Sequence, residues 1–250
     1  MSLKKRIIPI VLIDGFSVVK TIQFNERRNL GSPITVARTY NTRNVDELIL
    51  LDIDASLSGR QIDIYTIKEI ARQCFMPLTV GGGLRTIADI EAAILAGADK
   101  VSLNEETIKS PKILKNAARI FGSQSIVASM DVIQKNGRWQ IYSKVSDIDL
   151  DALEWLKQLE DNGAGEVLVN VVEKDGMMLG PAAEFAEAIA NASRVPIIYA
   201  GGVSSVEDCI TLGKLPLAGL AMSSIFHFTS LTPLDCKLAM AEAGIDVRLN

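Results

Sequence analysis

The sequence predicts an α/β chain folded as one (β/α)8 barrel over residues 1–250, made of two duplicated half-barrels. Three observations lead there. Eight short β-branched runs are almost continuously apolar, as strands covered on both faces are. Helix-like segments lie between them. Two stretches, PLTVGGGLRTIADI (77–90) and PIIYAGGVSSVEDC (196–209), match so that Asp89 falls on Asp208, an offset of 119 residues. An offset near half the chain points to a duplicated unit rather than a short solenoid repeat. Two equal halves favour a closed ring over the alternative, an open doubly wound sheet.

The elements follow in order. RIIPIVLID (6–14) is the first strand, and the long connection from Gly15 to Ser32 after it reads as unstructured, a lid or binding loop. ITVARTYNTR follows as a helix, then strand ELILLDID (47–54) and helix DIYTIKEIARQC. PLTVGG (77–82), TIADIEAAILAG, KVSLN (100–104) and SPKILKNAARIFG complete the first half. The second half runs SIVASMDV (125–132), DLDALEWLKQLEDNG, EVLVNVV (166–172), PIIYAGG (196–202), SSVEDCITLG and AGLAMSS (218–224). Glycines after the last apolar position close several helices, while Ser110-Pro111 and Ser204 or Ser205 are candidate starts.

Composition narrows the function classes. With 48% hydrophobic and 22% charged residues, 250 residues make an ample core. A net charge of −4 gives no electrostatic case for nucleic acid or an anionic membrane as partner. No apolar run approaches ~18 residues, so nothing spans a bilayer. The basic-then-apolar N-terminus lacks a small-residue cleavage site and is not read as a signal peptide. Cys74, Cys209 and Cys236 are scattered without CxxC spacing, which fits buried thiols in a reducing cytoplasm. The lone His227 reads as packing, as do Trp139 and Trp155, and no cofactor or metal site is expected.

In such barrels the active site lies at the C-terminal strand ends. Those ends carry Asp14, Asp52, Asp54, Gly81-Gly82-Gly83, Asn104, Asp131, Asp175-Gly176, Gly201-Gly202 and Ser223-Ser224. The glycines either let backbone approach an anion or merely permit tight turns. Gly202 with Ser223 and Ser224 forms one candidate phosphate site, and the repeat makes Gly83 with Asn104 a second. The ligand expected is therefore a phosphorylated small molecule with a phosphate at each end. Asp131, after an apolar run, is the leading acid–base candidate, since desolvation raises a carboxyl pKa. The repeat aligns it with Leu12, an aliphatic residue in the other half. At the strand starts stand Arg6, Glu47, Lys100 and Glu166, a balanced set of charges at the opposite mouth, read from chemistry alone as a structural plug.

The segments KRIIP, VVK, DELILLDI, PLTVGGGLRT, AGADKVSLN, FGSQSIV, GAGE, KDG and SIFHF together resemble the cyclase subunit of imidazole glycerol phosphate synthase over essentially the whole chain. The resemblance implies a duplicated barrel that accepts ammonia from a glutaminase partner and cyclises a bis-phosphorylated substrate. By that likeness Arg6, Glu47, Lys100 and Glu166 are an ammonia gate and Asp99 lies at the partner-docking face. It also makes Lys20 a loop lysine at the substrate and Asp131 one of two catalytic aspartates. The other aspartate position holds Leu12, with Asp14 two residues on and expected to point the same way as a displaced substitute. The family's polar DGTKxGYD loop is here DGMMLGPA, bringing Met177, Met178, Leu179 and Ala182, and Phe16-Ser17 stands where Gly-Arg is usual.

An intact floor below a rebuilt catalytic face implies a paralogue that passes ammonia onward, in company with a sugar amidotransferase making an acetamidino sugar for surface polysaccharide. Two other readings use the same residues: a working histidine-pathway cyclase with Asp131 and Asp14, and a non-catalytic scaffold.

Overall fold

A computed structural model describes residues 4–249. Eight parallel strands close into a barrel: β1 (Arg6–Ile13), β4 (Leu48–Asp52), β5 (Leu78–Gly81), β6 (Lys100–Leu103), β7 (Ile126–Lys135), β9 (Glu166–Val171), β10 (Ile197–Ala200) and β11 (Gly219–Met222). Closure comes from β11 pairing with β1, Arg6 opposite Gly219 through Pro9 opposite Met222. Helices α1 (Pro33–Asn41), α2 (Ile64–Ala71), α3 (Ile87–Leu95), α5 (Lys112–Phe121), α6 (Ala152–Asp161), α7 (Ala183–Ala192), α8 (Val206–Gly213) and α10 (Pro233–Glu242) alternate with the strands. The expected (β/α)8 barrel is the fold found.

The duplication is visible in three dimensions at the same offset of 119. Thr86 and Ser205 cap α3 and α8 with matching capping boxes to Asp89 and Asp208, each satisfying free amides at a helix start. Short helices α4 (Glu105–Lys109) and α9 (Ser224–Phe228) also correspond residue for residue. They follow Asn104 and Ser223, whose backbones share an uncommon conformation (φ −125°, ψ −89° and φ −136°, ψ −68°).

The connection read as unstructured is instead a hairpin of β2 (Val18–Ile22) and β3 (Glu26–Gly31), paired antiparallel onto β1 through Leu12 and Val19. Every side chain of β3 but Leu30 is exposed, so it lacks the apolar alternation that marks a strand in sequence. Lys20, expected on a loop, therefore lies on a strand and is buried. A second hairpin adds β8 (Arg138–Ile141) to β7, and its Trp139 stacks on Phe185 with ring centres 4.2 Å apart. Of the expected helix starts, Ser205 caps α8, whereas Ser110 ends α4 and Pro111 precedes α5.

Two apolar layers result. The larger lies between strands and helices; the smaller fills the barrel with Ile8, Ile10, Leu12, Ile49, Val127, Leu168 and Ile198. No helix among the described residues is long and apolar enough to cross a membrane. Beneath the barrel, the fully buried Lys237 Nζ donates to Asp46 at 2.8 Å and to the Asn44 carbonyl at 2.6 Å. The other Asp46 oxygen accepts from the Ile7 amide, which ties α10 to the first strand. Removing one partner strands a buried charge. Lys237→Met is therefore expected to cost about 3–5 kcal/mol in urea unfolding, and an unchanged midpoint would show that the pair carries no weight.

Candidate functional site

The C-terminal strand ends enclose a cavity of about 600 Å³. It is lined by Asp131, Lys20, Gly82, Gly83, Asn104, Asp175, Gly176, Gly201, Gly202, Ser223 and Ser224. Of the strand-end residues expected at the mouth, three are not in the lining: Gly81, Asp54 and Asp14. Asp14 is 30% exposed and stands 4.0 Å from Arg27. Alternation along β1 would aim it inward, but the strand ends at Ile13 and the chain turns into the hairpin at Gly15 (φ +105°). Leu12 does line the cavity, 8% exposed, as the top of the inner apolar layer.

Asp131 is half-buried on β7 and accepts a 2.7 Å hydrogen bond from Asn104 Nδ2. Burial pushes its carboxyl pKa up to about 7; Glu105 and Asp175 push the same way, against hydrogen bonds from Asn104 and Asn170. A carboxyl that gains and loses a proton near neutrality suits acid–base work. Lys20 is held by Asp175 at 3.0 Å, and Thr21 Oγ1 donates to the other Asp175 oxygen at 2.6 Å.

The glycines have their own intramolecular reasons. A side chain at Gly82 would meet the Asp52 carbonyl at 2.1 Å, and one at Gly201 would meet that of Val171 at 2.9 Å, again at the repeat offset. Gly83 and Gly202 are equally hemmed in by backbone, and Gly176 by Thr21 of the hairpin. The glycine clusters that mark this mouth in sequence are thus explained by packing alone. A ligand argument needs another observation, and Ser224 supplies it: the residue lines the cavity, and its buried Oγ has no hydrogen-bond partner among the described residues.

Other side chains were not visible from sequence reasoning. Glu105 lines the cavity and accepts from Ser143 Oγ at 2.8 and 3.1 Å; burial raises its pKa. The repeat carried a signal for it, since the offset that aligns Asn104 with Ser223 aligns Glu105 with Ser224. Lys144 donates to the Phe24 carbonyl at the hairpin tip, and Phe24 meets Tyr142 edge-on, so the loop after β8 and the hairpin meet over the mouth. Asp52 is committed to a two-point pair with Arg60 at 2.6 and 2.7 Å and to two loop amides. His227 packs edge-on against Tyr40, and burial lowers its pKa to about 4.

At the opposite end, Arg6, Glu47, Lys100 and Glu166 form a closed ring. Arg6 binds Glu47 at 2.8 Å and also Glu166; Lys100 binds Glu47 at 3.1 Å and Glu166 at 2.9 Å. Thr79 Oγ1 donates to Glu47 at 2.6 Å. Burial opposes the Arg6 charge, but hydrogen bonding and attraction from Glu166 and Glu47 prevail and raise its pKa. Asp99 is exposed on the same face, its carboxylate accepting from the Leu78 amide. No group of three or more His, Cys, Asp or Glu side chains suited to a metal occurs among the described residues.

The raised pKa of Asp131 has a stability consequence. The folded chain holds that proton more tightly than the unfolded chain, whose value is near the ordinary 3.8. Ionisation therefore destabilises the fold progressively from about pH 4 to pH 7 and fully above it. Asp131→Asn is expected to raise unfolding stability at pH 8 by about 1–3 kcal/mol and to lose that gain near pH 4. A difference that does not vary with pH would contradict the assignment.

Comparison with known proteins agrees with this architecture. The model of the family described as "Histidine biosynthesis protein" matches residues 6–232. The chain is also 41% identical over 247 residues to a Campylobacter jejuni protein named "Putative imidazole glycerol phosphate synthase subunit hisF2", with 99% of each chain covered. The chain belongs to the histidine biosynthesis protein family and, within it, is a divergent HisF-like paralogue of the cyclase subunits.

Proposed function

We propose that this chain is a synthase-type subunit that docks a glutaminase at its N-terminal face and passes ammonia through the barrel to the C-terminal mouth. On this reading the mouth no longer cyclises an imidazole efficiently. The observation that carries it is the contrast along the barrel axis: a complete ring of two cations and two anions at the floor, and Leu12 instead of a carboxylate at the top of the same strand as Arg6.

Three further observations support the reading. The inner layer between ring and mouth is apolar, which suits a small neutral molecule and excludes ammonium. Phe75, in the connection into β5, and Leu95, the last residue of α3, are 91% and 80% exposed on the floor side near Asp99, as a face that meets a partner would be. Asp14 lies off the cavity lining, which leaves Asp131 as the acid of β1 and β7 that faces it. Asp131, held by Asn104 and half-protonated near neutrality, shuttles a proton to or from the ligand. A second positioned carboxylate typically contributes about 10²–10⁴ in rate, so its absence lowers cyclisation by that order. The ammonia then serves amidination of a sugar through a separate amidotransferase rather than ring closure.

The test is a reconstituted complex with the glutaminase. It is expected to hydrolyse glutamine while showing negligible cyclase turnover, and the chain alone with ammonium is expected to show none. Lys100→Ala, which opens the ring, is expected to reduce ammonia transfer relative to glutamine hydrolysis. Cyclisation at the rate of an ordinary histidine-pathway enzyme overturns the proposal. Ammonia transfer indifferent to Lys100→Ala favours the scaffold reading instead.

A further inference from the structure

The two ends of the mouth are the same piece of backbone used twice, and they differ in one decisive side chain. Asn104–Lys109 and Ser223–Phe228 correspond at the repeat offset, each a five-residue helix after a residue in a similar uncommon conformation. At the next position one half has Ser224 and the other Glu105.

Ser224 is 7% exposed and lines the cavity together with Gly202, and its buried hydroxyl has no hydrogen-bond partner among the described residues. A buried hydroxyl left unpaired is costly, so this end is incomplete until a ligand oxygen reaches it. The Glu105 end is already furnished with acceptors. Glu105 and Glu106 both line the cavity, and Asp131 is close enough to Glu105 for each to feel the other's charge. The cations near it have partners: Lys109 lies 3.6 Å from Glu106, Lys144 donates to the Phe24 carbonyl, and Arg85 donates to the carbonyls of Gly59, Ala55 and Arg60. A phosphate entering there meets carboxylates at close range, and the cations on that side are already partnered among the described residues.

We propose that the mouth takes a ligand with a single phosphate, seated at Gly202 and Ser224, whose other end presents N–H or O–H donors to Glu105 and Asp131. This revises the expectation of two equivalent phosphate sites and makes Glu105 the residue that sets ligand class. It rests on the mouth being a ligand site, as proposed above, but not on ammonia delivery.

The experiment is phosphate counting on the intact chain, with inorganic phosphate followed by equilibrium dialysis. The wild type is expected to saturate at one phosphate per chain. Ser224→Ala removes a hydroxyl with no partner to lose, so the fold is retained while phosphate affinity falls by about tenfold or more. Glu105→Ser, a half-exposed position, is expected to open a second site. In parallel, fructose 6-phosphate and fructose 1,6-bisphosphate should bind the wild type alike, and Glu105→Ser should favour the bisphosphate by about tenfold. Two phosphates on the wild type, no phosphate at all, or one phosphate indifferent to Ser224→Ala would each overturn the proposal. None of these readouts involves glutamine or ammonia, so this inference and the ammonia-transfer reading fail independently.

Discussion

Closing a parallel sheet on itself fixes which side of every strand faces inward, because side chains alternate and the ring leaves no free edge. Here the closing pair is β1 with β11, and it sets the parity of β1. Ile7, Val11 and Ile13 go outward to the helices, while Ile8, Ile10 and Leu12 go inward. Arg6 shares the inward parity and begins the line, so one strand runs from the charged floor to the apolar rim of the mouth. The same parity made Asp14 look like an inward-pointing residue. It fails because alternation holds only while the strand continues, and Gly15 ends it.

Four charges at the floor of such a barrel survive only as a set. Glu47 and Glu166 are 2% and 7% exposed, and each is bound by both cations. Desolvation makes an isolated buried carboxylate expensive, and alternation of sign around the ring is what offsets it. In the ring as it stands no member is left unpaired. Arg6 and Lys100, at 24% and 20% exposure, are its members with room to move.

Much of this was legible in the chain, for identifiable reasons. All eight barrel strands are covered on both faces, so each appears as a continuous apolar run. The duplication showed in matched glycines because backbone crowding demands them at the same place in each half. What stayed hidden lacks such a signal. Strand β3 is polar and exposed; β8 holds only four residues; Lys237 and Asp46 lie 191 residues apart. The glycines also misdirected: they drew attention to the right mouth, but packing accounts for them, and although Ser224 stood out by its strand-end position, nothing in sequence marks its hydroxyl as the one left unpaired among the described residues.

The departures from symmetry fall in one half. At the first strand of each unit, the second half keeps Asp131 and the first has Leu12. At the last strand, the second half has Ser224 and the first has Glu105. The first half still contributes Asn104, which holds Asp131, and Lys20, which is held by Asp175. Its contributions are thus directed at residues of the second half. A duplicated barrel begins with two equivalent ends. In this one, the carboxyl proposed for proton transfer and the hydroxyl proposed for anion recognition both lie in the second half, while the first supplies an apolar wall, carboxylates and the hairpin over the mouth. Such a division makes the two ends of the cavity chemically opposite, and a ligand bound in it has only one sensible orientation.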